Sequence, residues 1–113
     1  LRPGGRLVFS IEHPVFTACS LPAQDWFRGP EGEILHWPVD RYFSEGKRDT
    51  FFLGEPVRKY HHTLTTCLRG VLQAGFRIID LVEPQPPESM MGLPGMKEEL
   101  RRPMMLLVAA QKE

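Results

Sequence analysis

The residues of this chain with the most evident chemical capacity are Glu12 and His13, which stand side by side after an apolar segment. Histidine changes charge near neutral pH, so His13 can accept a proton or hold a polar ligand, and a neighbouring carboxylate such as Glu12 can orient its ring. His13 reads equally well as a polar residue that closes a strand before Pro14. Tyr42 and Tyr60 offer phenol hydroxyls that can bond a ligand or simply pack with a wet tip. Trp37 and Trp26 can wall a planar or cationic ligand, although core or lid packing is the commoner use of such rings. His61 and His62 precede a periodic apolar segment, where one of them can face a pocket; capping in solvent is the commoner role. Cys19 and Cys67 show no metal-ligand spacing and read as two free thiols.

The elements that must position these side chains begin with Arg2-Pro3-Gly4-Gly5. That is turn chemistry, because Pro3 presets one φ and the glycines accept positive φ without a Cβ clash. Arg6 to Glu12 then reads as a strand, with Leu7, Phe9 and Ile11 on one face and Val8, Ser10 and Glu12 on the other. The second face turns polar only toward its carboxyl end. A largely buried parallel strand opening into a ligand crevice has this pattern, which puts Glu12 and His13 at the crevice rim.

Residues 14–57 form a lid-like insertion. His13-Pro14 should end regular structure, and the segment carries Pro22, Pro30, Pro38 and Pro56 with little helical period. It also carries Phe16, Trp26, Phe27, Trp37, Tyr42, Phe43, Phe51 and Phe52, far more aromatic surface than a solvated linker holds. Glu33 to Trp37 and Thr50 to Leu53 read as strands joined through Ser44-Glu45-Gly46-Lys47 into a hairpin over the sheet's carboxyl edge.

Residues 58–113 predict a helix, a strand, a loop and a final strand. Thr63 is a candidate N-cap, Leu64, Leu68, Val71 and Leu72 form one stripe, and Gly75 supplies a left-handed C-cap. Arg58, Lys59, His61 and His62 crowd the helix start, where an anion would offset them or long side chains simply solvate the approach. Phe76 to Glu83 is the next strand, with Phe76, Ile78 and Val82 on one face and Ile79 and Leu81 on the other. Pro84, Pro86 and Pro87 forbid further pairing. The loop after them turns at Gly92-Leu93-Pro94-Gly95 and carries a short helix around Met96 to Arg101; Met90, Met91 and Met96 read as gap-fillers. Met104 to Ala110 is an uninterrupted apolar run, as of a strand buried on both faces.

Four motifs in order carry a family resemblance: Leu1-Arg2-Pro3-Gly4-Gly5 feeding a strand, Tyr60-His61-His62-Thr63 opening a helix, Gln73-Ala74-Gly75-Phe76 closing it into a strand, and Arg101-Arg102-Pro103 opening the last strand. Together they resemble the C-terminal half of a class I S-adenosylmethionine-dependent methyltransferase of the small-molecule type. The resemblance implies an α/β fold, the C-terminal portion of a Rossmann-like methyltransferase sheet, with the last strand antiparallel between its two predecessors. It implies catalytic roles for His13 and Glu12, and substrate contacts from Tyr42, Tyr60, His61 and Trp37. The family cradles S-adenosylmethionine with a glycine-rich loop after its first strand and an acidic residue after its second; this chain contains neither, so cofactor binding is expected of a longer parent and little of this chain. A start within a turn and without Met fits that half-domain expectation.

Composition narrows the partners. The 113 residues are 42% hydrophobic and 25% charged, ordinary for a globular domain. Fourteen Lys and Arg balance fourteen Asp and Glu, which leaves no general field for nucleic acid or an anionic membrane. With no membrane-length apolar run and no signal sequence, a cytoplasmic location is expected. The expected partners are a small-molecule substrate and a second copy of the chain, paired through the apolar edge of the first strand. The alternative is a free-standing α/β ligand-binding or dimerisation module without catalysis.

Overall fold

The computed structural model describes residues 2–113. In chain order the elements are β1 (Arg6–Glu12), α1 (Pro14–Thr17), β2 (Phe27–Arg28), β3 (Ile34–His36), β4 (Gly46–Phe52), β5 (Glu55–His61), α2 (Leu64–Gln73), β6 (Phe76–Val82) and β7 (Met105–Lys112). Single 3-10 turns lie at Glu88–Met90 and Glu98–Leu100. The chain divides into two compact units, one built from Leu1–His13 and Leu64–Glu113 and the other from Pro14–Thr63.

The first unit is a three-stranded sheet in the order β1-β7-β6, with α2 on one face. β7 is antiparallel to both neighbours, so β1 and β6 run parallel and α2 is the crossover between them. The Pro3-Gly4-Gly5 turn starts β1 as expected: Gly4 sits at φ +81°, and the Gly5 N–H donates to the Arg2 carbonyl at 2.8 Å. The same turn locks the far end of β7, because the Gly4 N–H donates to the Lys112 carbonyl at 2.7 Å. Gly75 at φ +90° ends α2 as expected, with its N–H on the Leu72 carbonyl at 3.1 Å.

Burial departs from expectation in a consistent way. Leu106, Val108 and Ala110 of β7 are buried, whereas Leu107, on the opposite face, is 36% exposed. Their partners Ile11, Phe9 and Leu7 share a face with them, and that face carries α2. The other face presents Val8, Leu107 and Val82 to solvent, so β1 and β7 are each covered on one side rather than two. Among the described residues the first unit has a single α-helix, α2, and it covers one face of the sheet. A bulge between Ile78 and Asp80 also reassigns β6, placing Leu81 opposite Val108 and Val82 opposite Leu107. Leu81 therefore joins Phe76 and Ile78 on the helix face and Val82 leaves it, because one extra residue inverts the alternation after it.

The second unit contains two hairpins instead of the single one expected. β3 pairs with β2, and β4 pairs with β5 through a tight turn at Leu53-Gly54. Glu33 to Trp37 and Thr50 to Leu53 thus find partners close by in sequence and not each other. Tyr60 and His61 are the last residues of β5, and the helix opens only at Leu64, so the cationic cluster expected at the helix start is mostly strand. Pro14 opens the single-turn α1, where its missing N–H costs nothing. The core of this unit is Phe16, Ala18, Cys19 and Trp26, all buried.

Candidate functional site

In the first unit, β1 and β6 deliver two residues to the same end of the sheet. His13 follows the last residue of β1, and its N–H donates to the Met104 carbonyl at 2.8 Å, which extends the ladder one step beyond the strand. Glu83 follows the last residue of β6. The two side chains meet there, His13 Nε2 to Glu83 Oε2 at 2.6 Å. His13 is 2% exposed, while the Glu83 side chain is 59% exposed. The pair therefore has a buried member and a wet one, and the wet one is the carboxylate.

Beside the pair lies a cleft of about 470 Å³ lined by Glu83, Gln85, Glu99 and Arg102 among others. Arg102 is buried and grips Glu99 with both terminal nitrogens, Nη1 to Oε1 at 2.8 Å and Nη2 to Oε2 at 3.3 Å. A bidentate fork of this kind fixes both planes and leaves the cleft a rigid polar wall. The 3-10 turn at Glu98–Leu100 presents Glu99 to Arg102 three residues on.

Of the other expected site residues, Glu12 ends β1 in the first unit, and Tyr42, Tyr60, His61 and Trp37 lie in the second. His61 is fully buried and uses both ring nitrogens: Nδ1 faces the Thr17 hydroxyl at 2.6 Å and Nε2 the Tyr42 carbonyl at 2.7 Å. A carbonyl can only accept, so Nε2 carries the proton and Nδ1 accepts from Thr17. Burial holds the His61 pKa below its ordinary value, and the Arg48 guanidinium and His62 add to this against the opposing Tyr42 carbonyl and Glu45. Trp37 stacks on Phe16 with centroids 5.1 Å apart, meets Trp26 edge-on at 5.3 Å, and donates from Nε1 to the Val15 carbonyl at 3.0 Å. Those contacts hold the half-buried Trp37 in the aromatic cluster of the second unit. Tyr42 is half-buried, edge-on to Phe43 and His61, and Tyr60 is exposed on β5. Among the described residues no cluster of three His, Cys, Asp or Glu side chains is arranged to hold a metal ion, and neither Cys19 nor Cys67 is in a disulfide.

Beside the Glu12 expected as its neighbour, His13 meets a second carboxylate that sequence reasoning did not name, Glu83, seventy positions away. The signal for Glu83 was present: it ends the second parallel strand just as His13 ends the first. Glu99 and Arg102 carried no such signal, because their pairing depends on a 3-10 turn inside an irregular loop.

The turns that follow the two parallel strands contain Pro14, Pro84, Pro86 and Pro87 and no glycine. A sulfonium nucleoside needs bare backbone N–H groups at such a turn, and these proline turns do not fit it.

A last strand inserted antiparallel between two parallel ones, with a helical crossover, is the arrangement expected of the C-terminal portion of a Rossmann-like methyltransferase sheet. Solved structures agree. Over its whole length the chain is 50% identical to half of a Listeria monocytogenes protein described as an S-adenosylmethionine-dependent methyltransferase, with a TM-score of 0.90. An S-adenosylmethionine-dependent methyltransferase from Mesorhizobium loti matches 99% of the chain with half of its own, at 42% identity and a TM-score of 0.83. An uncharacterized protein of Haemophilus influenzae is 29% identical over 99% of the chain and 44% of its own length. No family model matches the chain. The chain spans about half the length of each of these relatives. Among the described residues no helix is long and apolar enough to cross a membrane.

Proposed function

We propose that the chain supplies the substrate side of an S-adenosylmethionine-dependent methyltransferase acting on a polar small molecule. The observation that carries the reading is the 2.6 Å contact of His13 with Glu83 at the carboxyl ends of the parallel strands, beside a cleft that Glu83 itself lines. A hydroxyl or amine that receives a methyl group must shed its proton, and a positioned acceptor makes that step easier by roughly 10² to 10⁴. Glu83, the exposed member, faces the cleft and takes the proton. His13, buried behind it, donates from Nε2 to Oε2 and so fixes the carboxylate's direction. The roles expected for His13 as base and Glu12 as orienting carboxylate are thereby recast, with His13 as the orienting group and Glu83 as the acceptor.

The test is transfer from methyl-labelled S-adenosylmethionine to a panel of hydroxyl- and amine-bearing small molecules, assayed with the gene product purified at its native mass. Glu83→Gln keeps the hydrogen bond but removes the base, and turnover should fall about 10²-fold or more. Binding of S-adenosylhomocysteine, followed by calorimetry, should stay within about twofold. Label appearing only in macromolecules, or an unchanged turnover in Glu83→Gln, would overturn the reading.

A further inference from the structure

The cleft that Glu83 lines holds a second carboxylate, Glu99, and the two are mounted alike. Each is backed by a buried donor, Glu83 by His13 and Glu99 by Arg102. In each pair the carboxylate is the wetter member: the Arg102 side chain is 7% exposed and that of Glu99 is 27%. Both carboxylates belong to the first unit. A molecule that reaches Glu83 through this cleft therefore meets Glu99 without any other surface of the chain having to be open.

An ionised carboxylate has about four acceptor sites, two on each oxygen. The Arg102 fork fills one on each oxygen of Glu99, and among the described residues no other donor reaches them. Glu83 accepts only at Oε2, from His13. Both carboxylates thus keep acceptor capacity where a ligand would sit. The fork differs from the His13 contact in one respect: it holds both oxygens, so the plane of Glu99 is fixed before anything binds, whereas Glu83 is held at one. A preorganised acceptor loses little freedom on binding, which suits Glu99 to orienting a ligand. Arg101 and Arg102 balance the two carboxylates around the cleft, so selection there falls to hydrogen bonds and not to net charge.

Taking Glu83 as the proton acceptor, the reading on which this rests, we propose that Glu99 determines specificity and that the substrate carries two hydrogen-bond donors. One is the hydroxyl or amine whose proton goes to Glu83. The other is a second hydroxyl or amine that bonds to Glu99. The substrate class is thereby narrowed to amino alcohols, diols, diamines and their aromatic counterparts. A molecule with a single donor strips water from Glu99 without replacing it. A site that hydrogen-bonds a substrate group rejects the analogue lacking that group far more strongly than a site that merely packs against it. Arg102 acts through Glu99 and is a positioning residue. A mere clamp on the 3-10 turn at Glu98–Leu100 would use the same fork, but it would not distinguish two ligands of one shape.

Isosteric pairs that differ by one donor test this on the gene product purified at its native mass: ethanolamine against propylamine, meta-aminophenol against meta-methylaniline, and ethylene glycol against propanol. Ligand-observed NMR gives each affinity, and transfer of labelled methyl gives kcat and KM. In at least one pair the two-donor compound should bind about tenfold tighter or more. Glu99→Gln should erase most of that difference, raising KM about tenfold with kcat and the one-donor affinity within about twofold. Arg102→Lys keeps the charge but gives up the fork, and should narrow the difference roughly threefold or more, which decides the matter where Glu99→Gln does not fold. Equal affinities within every pair overturn the proposal, as does a difference that neither variant moves. Turnover that still falls in Glu83→Gln would then leave the acceptor role of Glu83 standing; turnover unchanged in Glu83→Gln overturns both.

Discussion

Protonating His61 should destabilise the second unit, and the sign and size can be worked from its surroundings. The ring lies at 0% exposure, donating from Nε2 to the Tyr42 carbonyl and accepting at Nδ1 from the Thr17 hydroxyl. Adding a proton to Nδ1 turns that acceptor into a donor and forces the Thr17 hydroxyl to rotate toward the Pro14 carbonyl, 3.3 Å away. The charge would also sit in a buried site near the Arg48 guanidinium. Burial, first among the causes, accordingly lowers the folded-state pKa below the ordinary 6.5. With the folded pKa lowered, the unfolded chain binds more protons once the pH drops below about 6.5, and stability falls with it. The slope for one proton has a ceiling of about 1.4 kcal/mol per pH unit, so the loss between pH 7.5 and 5.5 should be on the order of 1 kcal/mol. In a small domain that is roughly 4 °C in Tm. The assay is urea unfolding followed by Trp26 and Trp37 fluorescence, both rings lying in the same unit as His61. His61→Gln is the control, since its amide can donate to Tyr42 and accept from Thr17 but does not titrate. Parallel curves for the two proteins between pH 7.5 and 5.5 would refute the reasoning. Divergence that grows only below pH 5 would assign the effect to carboxylates instead.

The Leu53-Gly54 turn of the β4–β5 hairpin holds both residues at positive φ, +52° and +82°, and Leu53 is 88% exposed. Leu53→Asn relieves the strain with a residue that tolerates this conformation, and should raise stability by about 0.5 to 1 kcal/mol, read as a higher urea midpoint. Trp37→Ala removes the stacking on Phe16, the edge contact with Trp26 and the bond to Val15, and should cost about 3 kcal/mol or more in the same assay. A loss below about 1 kcal/mol would return Trp37 to the role of a ligand-facing side chain.

The candidate site was legible as far as it is local. The alternation of Arg6 to Glu12 put His13 at the end of a parallel strand, because side-chain period and burial are set by the strand itself. The partner of His13 could not be found in this way. Glu83 reaches His13 because β7 holds β1 and β6 parallel, with their carboxyl ends at the same end of the sheet. His61 shows the opposite error. Its place before a helical stripe suggested an exposed cap, yet pairing with Gly46 on β4 draws it into a strand and buries it.

By itself the sequence determined the pieces whose conformation rests on their own residues: the Pro3-Gly4-Gly5 turn, the strands on either side of α2, the glycine that ends that helix, and the apolar last strand. Those pieces in order were enough to indicate the methyltransferase sheet. Only the tertiary structure decided which segments of residues 14–57 pair, which face Leu81 and Val82 occupy after the bulge, and which carboxylate meets His13. Each of these depends on contacts between residues distant in the chain, where a shift of one position inverts every side chain, and no local propensity distinguishes the two arrangements.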